Sequence, residues 1–153
     1  NIYILNGLNI MKTVKAITLI LSSVILGACT AETQIIPQEV KIEQLQHNWK
    51  LTHVDNIQLA TVINSTLTID PQNKSTGNLG CNNFIGKAEF SDNQLRITDM
   101  ANTRKMCDEL KNGVEMDVTS VLSDWSNVMV DQDSLIIGNN KHSLTYQLLK
   151  TVN

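Results

Sequence analysis

The chain has 153 residues, 42% of them hydrophobic, and twelve Lys and Arg stand against fifteen Asp and Glu for a formal net charge of −3. That length holds one ordinary domain with a core of its own. The mild acidity is spread along the chain without a basic block, which argues against a nucleic-acid partner.

The first element is a targeting segment. Met11 is followed by Lys12, Lys15 and an apolar run, "AITLILSSVILGA", over residues 16–28. A basic start, an apolar stretch and small residues at its end are the parts of a secretory signal peptide. The run is too short for a spanning helix, which takes roughly 20 apolar residues. Residues 1–10 read as an extension upstream of Met11. The run closes on Leu26-Gly27-Ala28-Cys29, a sequence that resembles the bacterial lipobox. The Cys29 thiol is the expected lipidation site, with the signal removed between Ala28 and Cys29. The alternative is an ordinary secreted protein with an incidental cysteine. Several acyl chains make a durable anchor where one is marginal. Thr30 stands where an inner-membrane retention signal carries Asp, so the expected location is the outer membrane, facing the periplasm.

Removing the leader removes two Lys, leaving ten basic residues against fifteen acidic ones, a balance of −5. Residues 29–44 are polar with one proline and read as a lipidated tether. Residues 45–153 are read as the folded domain.

From Trp49 the apolar period is that of strands. "WKLTHV" sets Trp49, Leu51 and His53 on one face, and "STLTID" aligns Leu67 with Ile69. Pro71-Gln72-Asn73 turns the chain. "STGNLGC" and "FIGKAEF" follow, joined around Asn82-Asn83, and Ser91-Asp92-Asn93 turns into "QLRIT". "SNVMVD", "SLIIG" and "HSLTYQLL" close the chain, separated by Gln132-Asp133 and Asn139-Asn140. Between them, over 108–125, the period becomes helical. Val114, Val118, Val121, Leu122 and Trp125 form one stripe, with acidic residues crowding the first half, where the helix dipole favours them. Val121 and Trp125 are expected in the core. The predicted fold is mainly β: a curled antiparallel meander, barrel- or sandwich-like, with one helix packed on it.

With Cys29 lipidated, Cys81 and Cys107 remain. An even pair in an oxidising compartment reads as a disulfide, two buried free thiols being the alternative. Two cysteines without a CxxC or paired histidines make only half a zinc site, and no metal or cofactor is expected. "GCNNFIGK" is not a phosphate loop. Its glycines are spaced too widely, Ala88 follows Lys87 where Ser or Thr should stand, and a strand follows it. Gly80 and Gly86 are expected to allow tight bends beside the Asn82-Asn83 turn. His47, His53 and His142 fall in no catalytic motif.

The stretch "STGNLGCNNFIGKAEFSDNQLRITDMANTRKMC" resembles the central signature of META domains, and within them the HslJ-type heat-shock lipoproteins. The matching residues are Cys81, Asn82, Phe84, Gly86, Leu95, Ile97, Thr103, Arg104, Met106 and Cys107. Gly80 stands where the HslJ type carries a larger residue. The resemblance implies an antiparallel β domain with a helix, an envelope location and a link to stress. It carries over no catalytic residue. Architecture accounts for the motif if Asn82 caps a tight turn, Thr103 acts near the helix start and Cys107 pins the helix entry. A functional account places Asn82 and Arg104 at an exposed ligand surface. The expected function is that of a non-enzymatic binding or assembly module with a protein partner in the envelope. An inhibitor of an envelope-attacking enzyme and a hydrolase are the alternatives.

Overall fold

A computed structural model describes residues 39–150. The signal segment, Cys29 and most of the proposed tether lie outside them. Nine strands follow in chain order: β1 (Asn48–Val54), β2 (Ile57–Gln58), β3 (Thr66–Ile69), β4 (Lys74–Asn78), β5 (Asn83–Ser91), β6 (Gln94–Asn102), β7 (Ser126–Asp131), β8 (Ser134–Gly138) and β9 (Ser143–Leu148). One helix, α1 (Glu109–Leu122), separates β6 from β7. Each strand from β3 onward pairs antiparallel with the next, and β9 returns to β1, so eight strands form a closed ring. Closure leaves few open strand edges. The two-residue β2 takes the part of β1 that β3 leaves free.

The alternation that predicts the strands also fills the ring. Trp49, Leu51, Leu67, Ile69, Leu95, Ile97, Leu135, Ile137 and Tyr146 are all buried. Pairs of Asx residues with positive φ make two of the hairpin turns. Asp55 and Asn56 have φ of 50° and 64°, and Asp92 and Asn93 of 51° and 58°. Two consecutive left-handed residues are what a two-residue hairpin with right-twisted strands requires.

The alternation breaks at one place. Pairing between β1 and β9 shifts register between Leu51 and His53. The bulge turns Val54 inward, 8% exposed, so Val54 and not His53 joins Trp49 and Leu51 in the core.

The packed domain begins before residue 45. Val40 is buried, residues Ile42–Gln44 form a 3₁₀ turn, and Leu45 is fully buried. The Trp49 indole Nε1 donates to the Leu45 carbonyl at 3.0 Å, fixing this turn against β1. An apolar residue every few positions in a polar segment is enough to dock it.

Helix α1 starts at the cap Asp108, whose side chain accepts from the Lys111 amide at 2.9 Å. Val114, Val118, Val121 and Leu122 bury its stripe, each contributing about 1.5–3 kcal/mol of transfer free energy. The helix ends at Ser123, short of Trp125. Trp125 is therefore only half-buried, and the Arg96 guanidinium lies 4.6 Å from its ring centroid. That is a cation–π contact at the domain surface, and it corrects the expectation of a core tryptophan.

Candidate functional site: the signature cleft

The signature residues converge where β4 gives way to β5 and where β6 leads to α1. The turn falls at Gly80–Asn82, one residue earlier than the sequence suggested, since the Leu79 amide bonds the Asn82 carbonyl and Asn83 already opens β5. Gly80 has φ of 125°, and a Cβ there would lie 3.1 Å from Val114 Cγ1 and 3.2 Å from the Lys111 carbonyl. Only glycine lets the turn press against α1 in this conformation. Gly86 makes no bend beside that turn. It sits within β5 opposite a bulge in β6, where Asp99 has φ of 51°, and a Cβ there would meet Ile97 Cγ2 at 2.6 Å. Phe84 is buried beneath the sheet, a core residue.

Cys81 and Cys107 are joined, with Cα atoms 6.0 Å apart. The bond ties the β4–β5 turn to the residue before the helix cap.

Asn82 is the hub. It is 7% exposed, and its side chain spends all its hydrogen-bonding capacity inside the protein. Nδ2 donates to Glu115 Oε2 and Oε1 at 3.0 and 3.2 Å and to the Lys105 carbonyl at 3.4 Å. Oδ1 accepts from the Lys105 amide at 2.7 Å and from Thr103 Oγ1 at 2.9 Å. The Asn82 amide also donates to Glu115 Oε2, at 2.9 Å. Asn82 thus holds the segment after β6, the turn before β5 and α1 in one arrangement. Its polar atoms are taken up within the protein, as the architectural account of the motif has it, so it shapes the cleft wall rather than offering a free group to a ligand. Thr103 does not act at the helix start. Its hydroxyl bridges Asn82 and the Asn83 amide, and Asp108 caps the helix.

What this scaffold presents is the stretch from Met100 to Met106. It lines an open cleft of about 680 Å³ together with Asn82 and Glu115. Arg104 and Lys105 are exposed, and among the described residues neither forms a salt bridge. Met106 is fully exposed, at 101%. Arg104 is therefore at an accessible surface, as the functional account of the motif has it and the architectural account does not require.

Two features escaped the sequence. Glu115 flanks the buried stripe of α1 beside Val114, and an acidic residue bordering an apolar stripe is its one local sign. The second is His142, whose Nδ1 lies 2.8 Å from Asp55 Oδ2 and whose Nε2 lies 3.5 Å from Asp117. It joins the β1–β2 turn, the β8–β9 turn and α1. The hydrogen bond to Asp55 is the main cause that raises the His142 pKa above its ordinary value, and the same bond lowers that of Asp55. Both ring nitrogens face carboxylates. Among the described residues, no group of three or more His, Cys, Asp and Glu is placed to hold a metal.

A family model, described as the META domain, matches residues 42–151. The chain belongs to the META domain family. Heat shock protein HslJ of Escherichia coli (strain K12) is 26% identical over 146 residues, spanning 94% of this chain and all of that protein. A protein structure solved by NMR matches with a TM-score of 0.66 at 25% identity, covering 75% of this chain and all of its own. A second NMR structure, of a protein from Burkholderia xenovorans, matches with a TM-score of 0.59 at 20% identity over 77% of this chain and 94% of its own. The META match contains the disulfide, the Asn82 hub and the cleft. In this META domain the signature is thus first a device for shaping the turn, the helix entry and the segment between them.

Proposed function

We propose that this META protein is a stress-related lipoprotein of the envelope, anchored through Cys29 in the outer membrane and facing the periplasm, and that it works as a non-enzymatic binding or assembly module. One observation carries the binding reading. The signature residues lock a short extended segment into a fixed, open cleft, and the groups left exposed there are a fully exposed methionine and two cations that form no salt bridge among the described residues. Preorganised surface of this kind lowers the ordering cost of association. The E. coli relative named as a heat shock protein supports the link to stress. The sequence "LGAC" after a complete signal supports the anchor. The cleft's one carboxylate, Glu115, accepts from Asn82, which leaves the exposed cations as the charges open to a partner.

Mass spectrometry of the mature protein tests the anchor, with an acylated N-terminal Cys29 expected. An unmodified N-terminus at another residue rejects it. A photo-crosslinking residue placed at Met106 tests the binding role in intact envelopes. Discrete crosslinked species are expected, and their absence rejects the cleft as a binding surface.

A further inference from the structure

β6 has two edges and uses them unequally. β5 pairs with it from Gln94 to Asn102, whereas β7 meets it only at Gln94 and Leu95. From Arg96 to Asn102 the second edge of β6 has no strand neighbour, and its last three residues, Met100 to Asn102, line the cleft. A strand edge with unpaired N–H and C=O groups is a template for another extended chain. Of the charges beside it, Arg104 and Lys105 are exposed and without a salt bridge among the described residues, Asp99 is an exposed carboxylate on the edge itself, and the Glu115 carboxylate already accepts from Asn82. Cations beside an open edge select an acidic segment and speed its encounter.

The cleft and the start of the described chain lie at opposite ends of β5 and β6. The chain enters the domain beside the β5–β6 turn, where the Val40 amide donates to Asn93 Oδ1 at 3.0 Å. The cleft lies at the other end of those two strands. β5 has nine residues, so about 26 Å separates the two ends at a rise of about 3.3 Å per residue.

We infer that the cleft binds an extended acidic peptide segment of a partner protein, which adds a strand to the free edge of β6 and pairs its carboxylates with Arg104 and Lys105. This rests on the binding role proposed above and names its partner chemistry. The test uses the chain from residue 30 onward, which keeps the whole packed core from Val40 to Tyr146. The probes are a fluorescent peptide of alternating Glu and Thr, its Lys and Thr counterpart, and vesicles of phosphatidylcholine with phosphatidylglycerol. The acidic peptide should bind at least about tenfold more tightly than the basic one at low salt, and less tightly as salt rises. Binding should slow hydrogen exchange at the Asn102 amide, since the Thr103 amide bonds the Asn83 carbonyl and alternation turns the Asn102 amide to the free edge. An Arg104→Glu/Lys105→Glu variant should keep its melting temperature and lose the preference. Equal binding of both peptides, no exchange protection, or binding indifferent to the double variant overturns the inference. So does retention by the vesicles through Arg104 and Lys105 without peptide binding. Crosslinking through Met106 that persists in the double variant would overturn the acidic-peptide inference alone and leave the binding role standing.

Discussion

Asn82 and Glu115, 33 residues apart, meet through three hydrogen bonds of 2.9 to 3.2 Å, one from the Asn82 amide and two from its side chain. The pair sits beside the Cys81–Cys107 bond and sets where the signature segment runs.

Asn82→Ala should cost about 2–3 kcal/mol in urea unfolding. It removes the acceptor for the Lys105 amide and Thr103 hydroxyl and the side-chain donor to Glu115, and an unpaired buried polar group costs about 1–3 kcal/mol. Asn82→Asp should be worse at neutral pH, because it sets a second carboxylate against Glu115. A loss below about 0.5 kcal/mol for Asn82→Ala would mean that the hub is dispensable.

Reduction of the Cys81–Cys107 bond should lower the melting temperature of the wild type. A separation of 26 residues corresponds to about 3–4 kcal/mol in the chain-entropy description. The Cys81→Ala/Cys107→Ala variant should melt lower and show no response to reductant. A double variant that melts with the oxidised wild type would remove the bond from the stability of the fold.

The His142 pair makes stability depend on pH in a defined direction. Its folded pKa is raised, first by the hydrogen bond to Asp55 and further by Asp117, against burial and Lys141. Its contribution is therefore complete below the ordinary histidine value of about 6.5 and lost as pH rises through the folded value. The Asp55 pKa is lowered, so its share is present above the ordinary carboxylate value and lost as pH falls through the folded one. The combined contribution peaks between the two ranges. NMR titration should place His142 above about 6.5, and Asp55→Asn should bring it down. An unchanged titration in Asp55→Asn would refute the pairing.

Tyr146→Phe should leave stability unchanged or raise it by up to about 1 kcal/mol. The Tyr146 ring is fully buried, its hydroxyl has no hydrogen-bond partner among the described residues, and burial pushes its pKa up. Removing the oxygen removes a desolvated polar group. A loss greater than about 1 kcal/mol in chemical denaturation would show that the hydroxyl is satisfied.

Most strands, their turns and the helix were legible because each is written in a local period. Alternation from Trp49 to Tyr146 marks the faces, polar turn residues mark most hairpins, and the Val114–Val118–Val121 spacing marks one side of a helix, whereas the two-residue β2 and its Asp55-Asn56 turn are too short to show a period. Where a single residue broke the period, local reading failed. The Thr52 bulge turned Val54 inward in place of His53, and the bulge opposite Gly86 made that glycine a point of close approach. Trp125 continued the helical stripe in sequence, but the helix stopped at Ser123 and left its ring to Arg96.

The sequence by itself determined the curled antiparallel fold, the pairing of Cys81 with Cys107 as the preferred reading, and the META signature. Only the tertiary structure decided that β9 closes on β1, that Asn82 turns inward to Glu115 and that β6 keeps a free edge. His142 likewise reaches Asp55 across 87 residues only in the folded chain. Local patterns specify which face of an element is apolar, because that depends on neighbours a few residues away. Which polar groups meet depends on how whole elements dock, and a hydrogen bond formed across many residues leaves no periodic trace in the chain.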